Sequence, residues 1–139
     1  MKVFLDNNAF APERAHSTDA GYDLRAKDTG VVFEHGHKVF DTGVHIQLPP
    51  GTCGILVSKS GLNVNHHITS TGLIDEGYTG SIKVKLYNHG DAPFVVNEGD
   101  KISQLIIVPV NYEPVELVDD LAELGESERG SNGFGSTGR

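Results

Sequence analysis

Gly72-Leu73-Ile74-Asp75-Glu76-Gly77-Tyr78-Thr79-Gly80 lies mid-chain between two runs of strand character. Upstream is His67-Ile68-Thr69-Ser70-Thr71. Downstream, Ser81-Ile82-Lys83-Val84-Lys85-Leu86-Tyr87 alternates apolar and polar residues, the period of a half-buried strand. Glu76-Gly77 and Thr79-Gly80 supply turn residues between the runs. The stretch therefore reads as a β-hairpin carrying one carboxylate, Asp75, and one aromatic, Tyr78, near its bend. Glycines there let a ligand approach the main chain closely. By itself, an Asp in such a bend is more often a solvated turn residue than a functional one.

On either side the same grammar repeats. Strand-like runs fall at about residues 3–5, 22–25, 30–33, 37–41, 44–47, 52–57, 65–69, 72–74, 81–88, 94–96, 101–109 and 115–118, and Gly or Pro punctuates most gaps, as at Pro49-Pro50-Gly51. Long helical periodicity is absent; Leu121-Ala122-Glu123-Leu124 has room for one helical turn. This predicts an all-β chain, a distorted jelly roll or β-sandwich, with neither an internal repeat nor a second domain. The 139 residues suit a single core. No apolar run is long enough to span a membrane, and Met1-Lys2-Val3-Phe4-Leu5-Asp6 meets an acid too early for a secretory signal. One cysteine, Cys53, cannot form an internal disulfide, which fits a reducing, cytoplasmic setting; among Gly54-Ile55-Leu56-Val57 it reads as a small core residue.

The net charge of −8 is local. Residues 113–128 hold seven acids and no Lys or Arg, so twelve acids remain elsewhere against eleven basic residues, a balance of −1. No polyanion-binding surface is indicated, and direct nucleic-acid binding is not expected. The balance still leaves room for a small phosphorylated ligand, because a few placed cations and a metal can neutralise it. Lys59-Ser60-Gly61 forms a polar, glycine-containing turn after a buried strand, and its N–H groups, hydroxyl and ammonium suit phosphate oxygens. Gln104, inside an apolar strand, must find partners if buried. The seven histidines show no zinc spacing and read as surface or polar-core residues.

Five stretches, in order, carry a resemblance. They are Ala20-Gly21-Tyr22-Asp23-Leu24, Ser58-Lys59-Ser60-Gly61-Leu62, the hairpin Gly72–Gly80, Gly99-Asp100-Lys101-Ile102-Ser103-Gln104-Leu105, and Arg129-Gly130-Ser131-Asn132-Gly133-Phe134-Gly135-Ser136-Thr137-Gly138. Together they resemble the trimeric dUTPases, most closely the Gram-positive bacterial and phage members, over nearly the whole chain. One departure is Lys59, where the family usually has Arg; charge is kept, but bidentate geometry is lost.

The resemblance implies hydrolysis of dUTP to dUMP and pyrophosphate by water attacking the α-phosphorus, with Asp75 as general base. It implies phosphate contacts from Lys59, Ser60, Gly61, Gln104, Arg129, Ser131, Gly133 and Ser136. Uracil and deoxyribose contacts fall to Gly72, Ile74 and Lys83 through the main chain, to Tyr78 beneath the sugar, and to Phe134 and Gly135. Asp23 is implied to meet Mg²⁺ through water, the ion being held mainly by the substrate's phosphates. Residues 1–112 then form the jelly-roll unit, 113–128 an acidic connector with a swapped strand, and 129–139 a flexible glycine-rich arm that closes over the nucleotide. A homotrimer with shared sites follows from the resemblance alone; a regulatory protein partner is an expectation only if the chain is phage-encoded. The related dCTP deaminases need an acid where Lys85 stands, which argues against deamination.

Overall fold

The structure, a computed structural model, describes residues 1–128 and 130–132. In chain order the strands are β1 (Lys2–Leu5), β2 (Tyr22–Arg25), β3 (Gly30–Val32), β4 (His37–Asp41), β5 (Val44–Gln47) and β6 (Thr52–Val57). A short helix α1 (Ser60–His66) follows, then β7 (Ile68–Ile74), β8 (Lys83–Asn88), β9 (Phe94–Val96) and β10 (Lys101–Pro109). Every pairing is antiparallel. The main sheet runs β2-β10-β6-β7-β8-β4, and two small sheets, β1-β5 and β3-β9, complete the jelly roll.

Alternation along the strands sends one face inward. Leu24, Leu56, Ile68, Val84, Leu86, Ile102 and Leu105 are buried together, with Val32 and Val96 from the small β3-β9 sheet. Each such side chain contributes about 1.5–3 kcal/mol relative to exposure. Gly54 lets β6 and its neighbours close up, because a Cβ there would stand 2.8 Å from Leu105 Cδ1 and 3.2 Å from Ile74 Cβ.

The expected hairpin forms only at its far end. β7 pairs with β8 from Ile68↔Asn88 to Ser70↔Leu86, and there the ladder stops. From Thr71 to Ile74 it pairs instead with β6, through Val57↔Thr71 to Gly54↔Ile74. Meanwhile β8 stays paired with β4 along its other edge, from His37↔Tyr87 to Asp41↔Lys83. A gap therefore opens between the residues nearest the bend.

Other boundaries also differ from the sequence reading. The Lys59-Ser60-Gly61 turn is the entry to α1, and the run expected at 65–69 begins only at Ile68, after His67 ends the helix at φ 58°. The runs 65–69 and 72–74 are thus one strand. No strand forms over 115–118: those residues have no ladder partner among the described residues, and Val115 and Leu117 are 87% and 91% exposed. The single helical turn at Leu121–Leu124 is present as a 3₁₀ turn, with Asp120 and Glu123 in a capping box. Cys53 is half-exposed, on the wall of a cleft beside Asp75. Among the described residues no helix is long and apolar enough to cross a membrane.

Candidate active site

At one end of the main sheet, three sequence-distant stretches converge on Asp23. It is 5% exposed, and Gln104 lies opposite it in the β10–β2 register. Lys59 Nζ donates to Asp23 Oδ1 at 2.6 Å, and Gln104 Nε2 to the same oxygen at 3.3 Å. Lys101 Nζ stands 2.7 Å from Oδ2. Burial acts to raise the Asp23 carboxyl, but the Lys101 and Lys59 ammoniums overcome it and hold the group below its ordinary value. Around this centre, Glu13 pairs with Arg25 and with Lys101, and Arg25 also holds the carbonyl of Gly99 at 2.7 Å.

Local sequence explains the convergence. Gly21 leaves room for Gln104, whose Cβ would lie 3.0 Å from an added Cβ. Residues three apart on a regular strand face opposite ways, yet Lys101 and Gln104 both reach Asp23. The register shift between Lys101 and Ser103 supplies the extra residue that turns them to one side. Ser58 fixes the entry to α1 where β6 ends: its Oγ accepts from Ser70 N–H at 2.9 Å and donates to Ser70 O at 3.1 Å. Behind it, Ser103, fully buried, donates to Val57 O at 3.0 Å and meets Ser70 Oγ at 2.9 Å. Lys59 is extended and precedes the helix without a side-chain cap, and Gly61 faces open space. The sequence reading missed Lys101 and Glu13; the fourth stretch contains Lys101, but only the bulge reveals its direction.

Asp75 lies elsewhere. It is exposed, immediately past Ile74, in a turn closed by Tyr78 N–H to Asp75 O at 3.0 Å. Ile74 pairs with Gly54, five residues before Lys59. At about 3.3 Å per strand residue, roughly 15–20 Å separate Asp75 from the Asp23 cluster. One chain therefore does not bring these two groups together. Tyr78 lies against Gly80 and donates its hydroxyl to Ser81 O at 3.0 Å.

The gap between β7 and β8 has a definite main-chain lining. Ser70 turns its N–H and C=O to Ser58, on the β6 side. His67 O accepts from His89 N–H, on the β8 side. Main-chain groups alternate edges along a strand, so Gly72 and Ile74 face β6, whereas Thr71 and Leu73 face the gap. Opposite them, Asn88 N–H points to Gly36 and Ile82 N–H to Val44, which leaves Lys83 and Lys85 facing the gap. By this alternation the main chains of Thr71, Leu73 and Lys83 line the gap. The Lys83 side chain turns away to Asp41 at 3.2 Å. Ser131 is exposed; Arg129, Gly133, Phe134, Gly135 and Ser136 lie outside the described residues.

Two ammoniums and an amide gathered on one carboxylate, with a second carboxylate on an open bend, can serve phosphate chemistry. The comparisons with known proteins agree. The family model described as dUTPase matches residues 7–138. A deoxyuridine 5'-triphosphate nucleotidohydrolase of Clostridium kluyveri is 43% identical over 96% of this chain and 94% of its own length; one of Kluyveromyces lactis is 39% identical over 100% and 94%. The dUTPase of Staphylococcus bacteriophage 80alpha with dUPNHPP superimposes with a TM-score of 0.92 at 32% identity, covering 99% of this chain and 98% of that one. The chain belongs to the dUTPase family.

Proposed function

We propose that the chain hydrolyses dUTP to dUMP and pyrophosphate, with Asp75 as the base that orients and deprotonates the attacking water. Family membership makes dUTP diphosphatase the activity; the residue roles are our reading. The observation that carries it is the convergence of Lys59 and Gln104 on Asp23, from three of the family's stretches. Lys59, with Ser60, Gly61 and Gln104, would take the phosphate chain, and Ser131 would join from the arm. The main chains of Leu73 and Lys83 offer N–H and C=O groups to the uracil edge. A backbone wall discriminates against a thymine methyl by clash, which does better than the about 1–3 kcal/mol of a lost contact. Tyr78 closes the sugar side.

The family implies Mg²⁺, and a relative, a mutant dUTPase from phage phi11 of S. aureus, is described with a structural Mg(II) ion. Among the described residues no cluster of three His, Cys, Asp or Glu could hold a metal, so the protein does not build a cage of its own there. Asp23 still fits an ion carried by substrate phosphates: three donors occupy its oxygens, out of about four lone-pair sites. Bound there, Mg²⁺ would supply charge neutralisation at the phosphates.

The separation of Asp75 from the Asp23 cluster supports a site completed between chains, a homotrimer in this family. Exposed Val115 and Leu117 support a connector covered by a neighbour. The setting we infer is the cytoplasm. The test is pyrophosphate release from dUTP, dTTP, dCTP and UTP. Release from dUTP far above the other three is expected; equal release from dTTP or UTP would sink the reading.

A further inference from the structure

Glu76 follows Asp75 and lines the same cleft. Its Oε2 accepts the N–H of Gly51 at 3.0 Å and the hydroxyl of Tyr112 at 2.8 Å. Gly51 is held at φ 75°, in the turn after Pro49-Pro50, and its carbonyl accepts Val110 N–H at 2.9 Å. One carboxylate oxygen therefore joins three segments: the bend 75–78, the turn 49–51, and the chain leaving β10. The bend and the chain leaving β10 line a cleft of about 360 Å³, with Asp75 and Cys53 on its walls. The bend needs such a tether. Asp75 is exposed, and the bend's one internal main-chain bond runs from Tyr78 N–H to Asp75 O; β8 has already parted from β7 at Ser70. The Tyr112 phenol is pushed above its ordinary value, chiefly by its hydrogen bond to Glu76.

We infer that Glu76 is a positioning residue for Asp75: its two hydrogen bonds to Gly51 and Tyr112 fix the bend on which the base is carried. The inference rests on the reading of Asp75 as the base. A base misplaced by even a fraction of an ångström loses rate while binding survives. Because a single oxygen takes both bonds, an amide carbonyl can replace it, and the charge is not required.

Glu76→Ala, Glu76→Gln, Tyr112→Phe and Asp75→Asn test this in the full chain, by pyrophosphate release from dUTP and hydrogen exchange at Gly77 and Tyr78. Glu76→Ala is expected to lower kcat about tenfold or more while KM stays within about threefold, and to speed exchange in the bend. Glu76→Gln should hold kcat within about threefold of wild type. If Glu76→Ala does not fold, Tyr112→Phe decides: a kcat lowered about threefold at unchanged KM supports the tether, and an unchanged kcat overturns it. An unchanged kcat in folded Glu76→Ala, or a Gln variant as impaired as the Ala variant, also overturns the tether. Full turnover by Asp75→Asn overturns the base assignment itself, and the inference with it.

Discussion

Asp41 shows how a single carboxylate ties the substrate side of the sheet to its stability. It accepts from Gly43 N–H at 2.9 Å and from the Ser81 hydroxyl, and lies 3.2 Å from Lys83 Nζ. Burial acts to raise this carboxyl; the hydroxyl, the N–H and the ammonium together pull it down to about 2. An unfolded Asp titrates near about 3.9. Its folded value is depressed, so its contribution is complete above about pH 4 and lost as pH falls toward 2. Asp41→Asn should therefore lower the urea midpoint at pH 7 and flatten its fall between about pH 4 and pH 2; an unaltered pH slope would show that Asp41 is not the group responsible. Asp75 is the other decisive residue. Asp75→Asn keeps size and exposure but removes the base, so kcat should fall by at least about a hundredfold while KM for dUTP changes little. Unchanged turnover would remove the assignment.

Elements carry information that residues alone do not. The strand runs were legible because alternation and Gly or Pro breaks are local signals, as in Lys83-Val84-Lys85-Leu86. Helix α1 was not legible: in seven residues it buries none, and Val64 is 73% exposed, so no apolar stripe marks it. The division of β7 between β8 and β6 was not legible either, because register depends on partners far along the chain. That is why the turning of the Gly72 and Ile74 main chains to β6, and of the Leu73 main chain to the gap, could not be read from the sequence. The identities of Asp23, Lys59 and Gln104 came from family resemblance, and their meeting point from packing. Ser103 is the element-scale test, since it links β10 to the end of β6 and to Ser70. Ser103→Ala should cost about 1–3 kcal/mol, because Val57 O and Ser70 Oγ are left short of a partner in a buried place. Equilibrium urea unfolding measures this; a loss near zero would mean that the seryl network is dispensable.

For the whole molecule, the decisive feature is that the proposed base and the proposed phosphate cluster lie at opposite ends of β6 and β7. Gln104 pairs with Val57 and sits with Lys59 and Asp23 at the end of β6, whereas Asp75 projects past Gly54. On the proposed reading a closed cyclic assembly solves this, because each copy would offer one end to one neighbour and the other end to another. Two inactive variants, Asp75→Asn and Lys59→Ala, then damage different halves of a site. Co-expressed in equal amounts, they assemble at random. A site recovers both intact halves when its bend comes from a Lys59→Ala chain and its phosphate cluster from an Asp75→Asn chain, each with a chance of one half, so about a quarter of sites regain function in a trimer with every site shared. Pyrophosphate release should rise to roughly that fraction of wild type, and light scattering should give three chains per particle. If co-expression instead yields no more activity than the separate parents, both halves act within one chain. The bend would then have to travel the length of β6 to meet the phosphates.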